Sequence, residues 1–147
     1  MQVTAIIAEW NPLHRGHLLP VQAARQQGAT HIVAILSGNF VQRGEPALCP
    51  WQYRAAAALS SGVDLVLLLP LPYAVSTAQH FAGGAVASLA ALGAVDSLIF
   101  GSECGELAAL RSVAAALDSP DLPAALAPHL QKGLPFAAAR QAAVHSL

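Results

Sequence analysis

The strongest constraint in this chain is an alternation. Four short apolar runs, Val3–Ala8, His31–Ser37, Asp64–Leu69 and Val95–Phe100, are separated by Ala-rich stretches long enough for helices. Strands with one wet face alternate apolar and polar residues, whereas these runs are almost continuously apolar, as strands covered on both faces must be. Parallel neighbours also need long crossovers, which the intervening stretches supply. The pattern predicts an α/β fold, a doubly wound parallel sheet with right-handed crossovers. Ligands on such sheets bind outside the carboxyl ends of the strands, so the loops after Ala8, Ser37, Leu69 and Phe100 are the informative ones.

Punctuation between the runs fits this order. A helix is expected from Arg15 to Gln27, stopped by Gly28, where a left-handed cap needs no Cβ. A long loop, Gly38–Cys49, leads to Pro50, a good first helical residue, and a helix through Leu59. Ser76–Leu92 is the next helix, closed by Gly93. After Gly105 only helical patterns remain, at about Glu106–Leu117, Leu122–Leu130 and Pro135–His145. Residues 1–105 are therefore expected to form the α/β domain, and 106–147 a helical extension. The pattern stops inside a helix, which suits the start of a longer region continuing beyond this chain.

Composition excludes several classes. With 55% hydrophobic and 10% charged residues the chain is not disordered, although 32 alanines make much of that apolar content short. Seven Lys and Arg against eight Asp and Glu are too balanced for a free-standing, non-specific nucleic-acid binder. Cys49 and Cys104 lie far apart without metal-ligand spacing, so neither a disulfide framework nor a zinc site is expected. The N-terminus lacks a signal-peptide pattern, and the most apolar stretch, Leu65 to Val75, is broken by Pro70 and Pro72. A soluble, cytoplasmic protein with no membrane partner is expected.

The first strand runs into Glu9-Trp10-Asn11-Pro12-Leu13-His14-Arg15-Gly16-His17. Its centre, His14-x-Gly16-His17, opens a helix whose unpaired N–H groups and dipole attract phosphate. Two imidazoles three residues apart can face the same way and donate to phosphate oxygens, more strongly as charge develops during phosphoryl or nucleotidyl transfer. Gly16 leaves room for a flat base against the backbone. The other four histidines, His31, His80, His129 and His145, lack such a setting and read as ordinary structural residues. Glu9 ends the strand at the site edge and could orient Asn11 or a ribose. Arg43, in a glycine-flanked loop, is open between a phosphate contact, an RNA-backbone contact and a solvated cation.

His-x-Gly-His after a first strand resembles the HIGH-type signature of the nucleotidylyl transferase superfamily. The longer blocks narrow this: residues 9–17, then Ser-Gly-Asn-Phe-Val-Gln-Arg-Gly-Glu-Pro-Ala at 37–47, Gly62-Val63-Asp64-Leu65-Val66, Leu92-Gly93, and Phe100-Gly101-Ser102-Glu103. In order and spacing they resemble the bacterial tRNA(Met) cytidine acetate ligase family. Leu13 stands where that family commonly has an aromatic residue and Leu68 where it has Glu.

The resemblance implies a Rossmann-like, HUP-type nucleotidylyl transferase fold and an ATP-dependent acetylation. Acetate attacks the α-phosphate of ATP, giving acetyl-adenylate and pyrophosphate, and the acetyl group then passes to N4 of the wobble cytidine of elongator tRNA(Met). It implies His14 and His17 as catalytic residues. ATP contacts are implied at Ile7, Ala8, Glu9, Trp10, Asn11, Pro12, Leu13, His14, Arg15, Gly16, His17, Leu18, Leu19 and Gly101. A magnesium ion bridging the phosphates follows by analogy, with no protein ligands for a metal assigned. Family members are longer, with a Ser-Asn nucleotide-binding segment and a C-terminal region expected to make the main tRNA contacts. Two other readings remain open: a small-metabolite adenylyltransferase of the same fold, and a nucleotide-binding fragment without turnover.

Overall fold

A computed structural model describes residues 1–103 and 105–147. Cys104, and with it the expectation for its thiol, lies outside the described residues. The chain divides into two compact units, Met1–Gly101 and Ser102–Leu147.

The first unit is a parallel sheet of four strands, β1 (Val3–Ala8), β2 (His31–Ser37), β3 (Leu65–Leu69) and β4 (Ser97–Leu98), in the order β3-β2-β1-β4. Its helices are α1 (Leu18–Gln26), α2 (Trp51–Ser60), a short α3 (Leu71–Ala74) and α4 (Ala78–Leu92). Alternation along β1 and β2 builds two cores. Ile6, Ala8, Ile32, Ala34 and Leu36 pack with Val21 and Ala24 of α1 and Ala58 of α2. Val3, Ala5, Val33 and Ile35 pack on the other face with Ala85 and Leu89 of α4. Helices thus cover both faces of the sheet, as the continuous apolar runs require.

β1 and β2 pair from Val3↔His31 to Ala8↔Leu36. The fourth strand is much shorter than Val95–Phe100, pairing only Thr4↔Ser97 and Ala5↔Leu98. Side chains reinforce this seam: Asp96 Oδ2 accepts the Val3 N–H at 2.7 Å, and the Thr4 and Ser97 hydroxyls bond at 2.9 Å. With one neighbour, β4 has half the ladder of an inner strand, and Phe100 is exposed. The first helix also departs from expectation, opening with a 3₁₀ turn over Arg15–His17 before α1 begins. Pro50 precedes α2 as its cap residue rather than occupying its first position. Thr77 accepts the His80 N–H and starts α4 two residues after the expected Ser76.

The second unit holds α5 (Leu107–Leu117), α6 (Leu122–Gln131) and α7 (Phe136–Ser146). α7 packs chiefly on α6 and buries Ala139 and Ala143. No helix among the described residues is long and apolar enough to cross a membrane.

Candidate functional site

Chain order makes β1 the pivot of the sheet. From β1 the chain steps outward through β2 to β3, then returns across α4 to place β4 on the other side of β1. The crevice of such a sheet opens where the order reverses, at the carboxyl ends of β1 and β4. The 9–17 segment leaves the end of β1. The Ile99 N–H donates to Ala5 O at 3.0 Å beyond the last β4 pair, so Gly101, two residues on, follows β4 toward that same edge.

The turn after β1 is tightly shaped. Trp10 adopts a left-handed φ of 44°, and the Asn11–Pro12 peptide is cis. The Trp10 side chain is buried in the core with Ile6, Ala8 and Val21, and Leu13 packs against the same cluster. These residues anchor the turn from below. His14, Arg15 and Gly16 are exposed above it, and His17 is half-buried.

The two imidazoles stack, with ring centroids 3.6 Å apart and planes 25° from parallel. His14 caps the helix: its Nδ1 accepts the Gly16 N–H at 3.1 Å. His17 Nδ1 in turn accepts the His14 N–H at 3.3 Å, closing a reciprocal capping box. With both Nδ1 atoms acting as acceptors, the hydrogen-bond network assigns the proton of each neutral ring to Nε2. Neither Nε2 has a protein partner among the described residues. Burial, and then the neighbouring His14, hold the His17 pKa below the usual histidine value, favouring the neutral donor. The space left by Gly16 belongs to His14: a Cβ there would lie 3.1 Å from Cε1 of that ring and 3.2 Å from Nδ1.

Residues 38–49, read from sequence as a loop, fold into a small hairpin-like turn. Phe40 bridges Pro46, Val41 N–H donates to Glu45 O at 3.0 Å, and Gly44 N–H donates to Val41 O at 2.8 Å. Gly44 takes φ +76°, which only glycine adopts readily. Two side chains of the β1 turn pin this hairpin. Glu9 Oε1 accepts the Gln42 N–H at 2.6 Å, and Asn11 Oδ1 accepts the Leu48 N–H at 2.7 Å. Glu9 therefore holds the neighbouring hairpin rather than orienting Asn11. Arg43 sits exposed at the tip, with no hydrogen bond or ion pair among the described residues.

Among the expected contact residues, Ile7 is half-buried against the second core, and Ala8 and Trp10 have core side chains. Pro12 and Leu19 are exposed, Leu18 half-buried, and Gly101 exposed. The structure thus brings together His14, Gly16 and His17 above a floor of Ala8, Trp10 and Leu13. Arg54 was not singled out by sequence reasoning, yet it is buried beneath this turn with its guanidinium on Glu9 O. Its only signal was a lone cation on an otherwise apolar helix face. Among the described residues no three His, Cys, Asp or Glu side chains gather as a metal cage would require. A cleft of about 990 Å³ in the second unit is walled by Ser112, Leu117, Arg140, Val144 and His145, which do not form a nucleophile–base pair or a paired set of fixed donors. The switch point is favoured because its donors are fixed and converge.

A profile of the HIGH Nucleotidyl Transferase family matches residues 1–147. The chain is 48% identical over 147 residues to a tRNA(Met) cytidine acetate ligase of Caldanaerobacter subterraneus, covering 98% of this chain and 37% of that protein. A protein of the same name from Alkaliphilus metalliredigens is 46% identical over 147 residues, covering 98% and 35%. The crystal structure of Thermotoga maritima TmcAL bound with alpha-thio ATP matches with a TM-score of 0.90 at 39% identity, over 98% of this chain and 36% of that one. The chain therefore spans little more than a third of the length of these relatives. Matched from its first residue to its last, the chain belongs to the HIGH nucleotidyl transferase family.

Proposed function

We propose that this chain is the nucleotide-binding part of an ATP-dependent tRNA(Met) cytidine acetate ligase. The observation that carries the proposal is the stacked His14–His17 pair at the β1 switch point, each ring capping the helix through Nδ1 and presenting Nε2–H. Two imidazole donors held side by side suit a phosphate that gains charge during attack. ATP would lie along residues 7–19 with Gly101 opposite. The curated relatives' names and the alpha-thio ATP in the Thermotoga maritima structure support the same choice.

In this reading an acetate oxygen bonds the α-phosphorus while the bond to the pyrophosphate oxygen breaks. Pyrophosphate leaves and acetyl-adenylate remains. The N4 amine of the cytidine then bonds the acetyl carbon, AMP leaves, and the amine loses a proton. The chain's own part is to orient the triphosphate and to donate hydrogen bonds from the two imidazoles. Elongator tRNA(Met) is the acceptor in this reading, and the location is cytoplasmic.

The test is exchange of labelled pyrophosphate into ATP, with acetate present or absent. Acetate-dependent exchange is expected. Exchange that depends on another small metabolite would favour a different adenylyltransferase, and ATP binding without exchange under any carboxylate would leave only a nucleotide-binding domain.

A further inference from the structure

Arg54 is 1% exposed, and its guanidinium meets no side-chain carboxylate. Nε donates to Cys49 O at 3.2 Å, and Nη1 to Glu9 O at 2.6 Å and Ser37 Oγ at 3.4 Å. Nη2 donates to Gly38 O. One side chain thus gathers the end of β1, the end of β2 and the last residue of the hairpin segment. A buried charge with no carboxylate hydrogen-bonded to it is costly, and mere packing would be served as well by an apolar side chain of similar volume. Burial accordingly pulls the Arg54 pKa down, opposed by Cys49 and Glu9.

What this charge does follows from peptide geometry. In a trans peptide the C=O and the next residue's N–H point in opposite directions, and the cis bond in this chain is Asn11–Pro12. Drawing Glu9 O and Gly38 O inward therefore turns the N–H groups of Trp10 and Asn39 away from Arg54. Among the described residues neither N–H makes a hydrogen bond. Buried backbone donors are seldom left unpaired, and Trp10 is 4% exposed, while Asn39 lies at the surface. These two follow neighbouring strands whose ends pair as Ala8↔Leu36, beside the histidine turn.

We propose that Arg54 is a positioning residue, and that the Trp10 and Asn39 N–H groups it orients form a second set of donors for an anionic group of the substrate. This deepens the nucleotide-site reading and rests on it. The anion is either a phosphate of ATP or the carboxylate that attacks it. Both need paired, prearranged N–H donors.

The first measurement titrates the ¹⁵N-labelled chain with ATP and, separately, with acetate in the presence of a non-hydrolysable ATP analogue. Saturable downfield shifts of the Trp10 and Asn39 amide protons are expected in one arm, which identifies the anion. The second compares wild type with Arg54→Lys and Arg54→Met at a temperature where circular dichroism shows each folded. At least tenfold weaker binding in the same arm is expected for Arg54→Met, with partial recovery in Arg54→Lys. A purely structural Arg54 would lower the melting temperature and leave the affinity of folded protein unchanged, which would overturn the proposal. If Arg54→Met does not fold, the lysine variant and the amide shifts decide alone. Wild type that binds ATP without moving either amide refutes this inference only, whereas wild type that binds neither ligand removes the nucleotide site as well.

Discussion

Replacing His14 by Asn separates its two jobs. Its Nδ1 caps the helix by accepting the Gly16 N–H, and its Nε2–H faces outward. Asn is among the best N-cap residues, so its side-chain oxygen can take over the cap, but it is too short to replace the outward donor. Loss of a cap typically costs about 1 kcal/mol. Because Asn retains one, the stability of His14→Asn should stay within about 0.5 kcal/mol of wild type, the usual range for exposed positions. Loss of one prearranged donor to a developing charge typically slows the chemical step by about 10²–10³-fold. His14→Ala should show both losses, the second equally large. Urea unfolding measures the first quantity and acetate-dependent pyrophosphate exchange the second. Wild-type exchange in His14→Asn would remove the imidazole from the mechanism. A stable but equally slow His14→Ala would show that the cap contributes nothing to folding.

Other outcomes follow from the same geometry. His17 has a lowered pKa, so the unfolded chain binds more protons and stability falls as pH drops through the ordinary histidine value near 6.5. A urea midpoint that stays flat or rises between pH 7.5 and 5.5 would contradict this. Asp64 adds a second loss in stronger acid: burial raises its pKa, but the Ile32 N–H and Arg25 outweigh that and hold it below the usual aspartate range. Gly84→Ala should destabilise by about 1–3 kcal/mol despite alanine's better helix propensity, because its Cβ would enter the Tyr73 ring; unfolding with a wild-type midpoint would show that the ring moves aside freely. Arg15 and Arg43 are the exposed cations beside the site, so RNA binding by this chain should be weak, should drop about sevenfold between 50 and 200 mM salt for two phosphate contacts, and should yield no measurable acetylation of elongator tRNA(Met). Tight, salt-resistant binding by gel shift would place the tRNA site within these residues.

The inner strands were legible to the residue because burial on both faces leaves mainly apolar side chains, with Thr4 and Ser37 the buried polar exceptions. Val3–Ala8 and His31–Ser37 came out with the expected ends. The edge was less legible. Val95 to Phe100 has strand composition, yet β4 pairs only at Ser97 and Leu98, whereas β3, also with a single neighbour, keeps its whole ladder from Leu65 to Leu69. The short α3 was missed because Pro70 and Pro72 read as breakers, although proline suits a first helical turn. The hairpin at 38–49 was invisible for another reason: it is fixed by Glu9, Asn11 and Arg54, whose bonds to it span 5 to 37 positions of sequence. No local propensity encodes such ties. The histidine pair was legible as a spacing, but its stacking and its capping roles were not, because histidine is not a usual cap residue.

These long-range ties bear on how a site so poor in charge would hold the proposed nucleotide. Arg25 is committed to the carbonyls of Ala29, Thr30 and Gly62 and to Asp64, and Arg54 is buried. Two exposed arginines therefore remain beside the switch point, and two imidazoles, one of them with a pKa held below the usual histidine value, supply the nearest side-chain donors. Attraction at long range is then weak, and recognition falls to directional hydrogen bonds. Such donors work only if their positions are fixed before the substrate arrives, since reorganising them would consume the free energy they provide. The buried Trp10, the reciprocal cap between His14 and His17, and the hairpin pinned by Glu9 and Asn11 supply that rigidity. A site made of fixed dipoles rather than fixed charges should hold nucleotide with little dependence on salt, unlike the RNA contact, whose strength comes from neutralising phosphates.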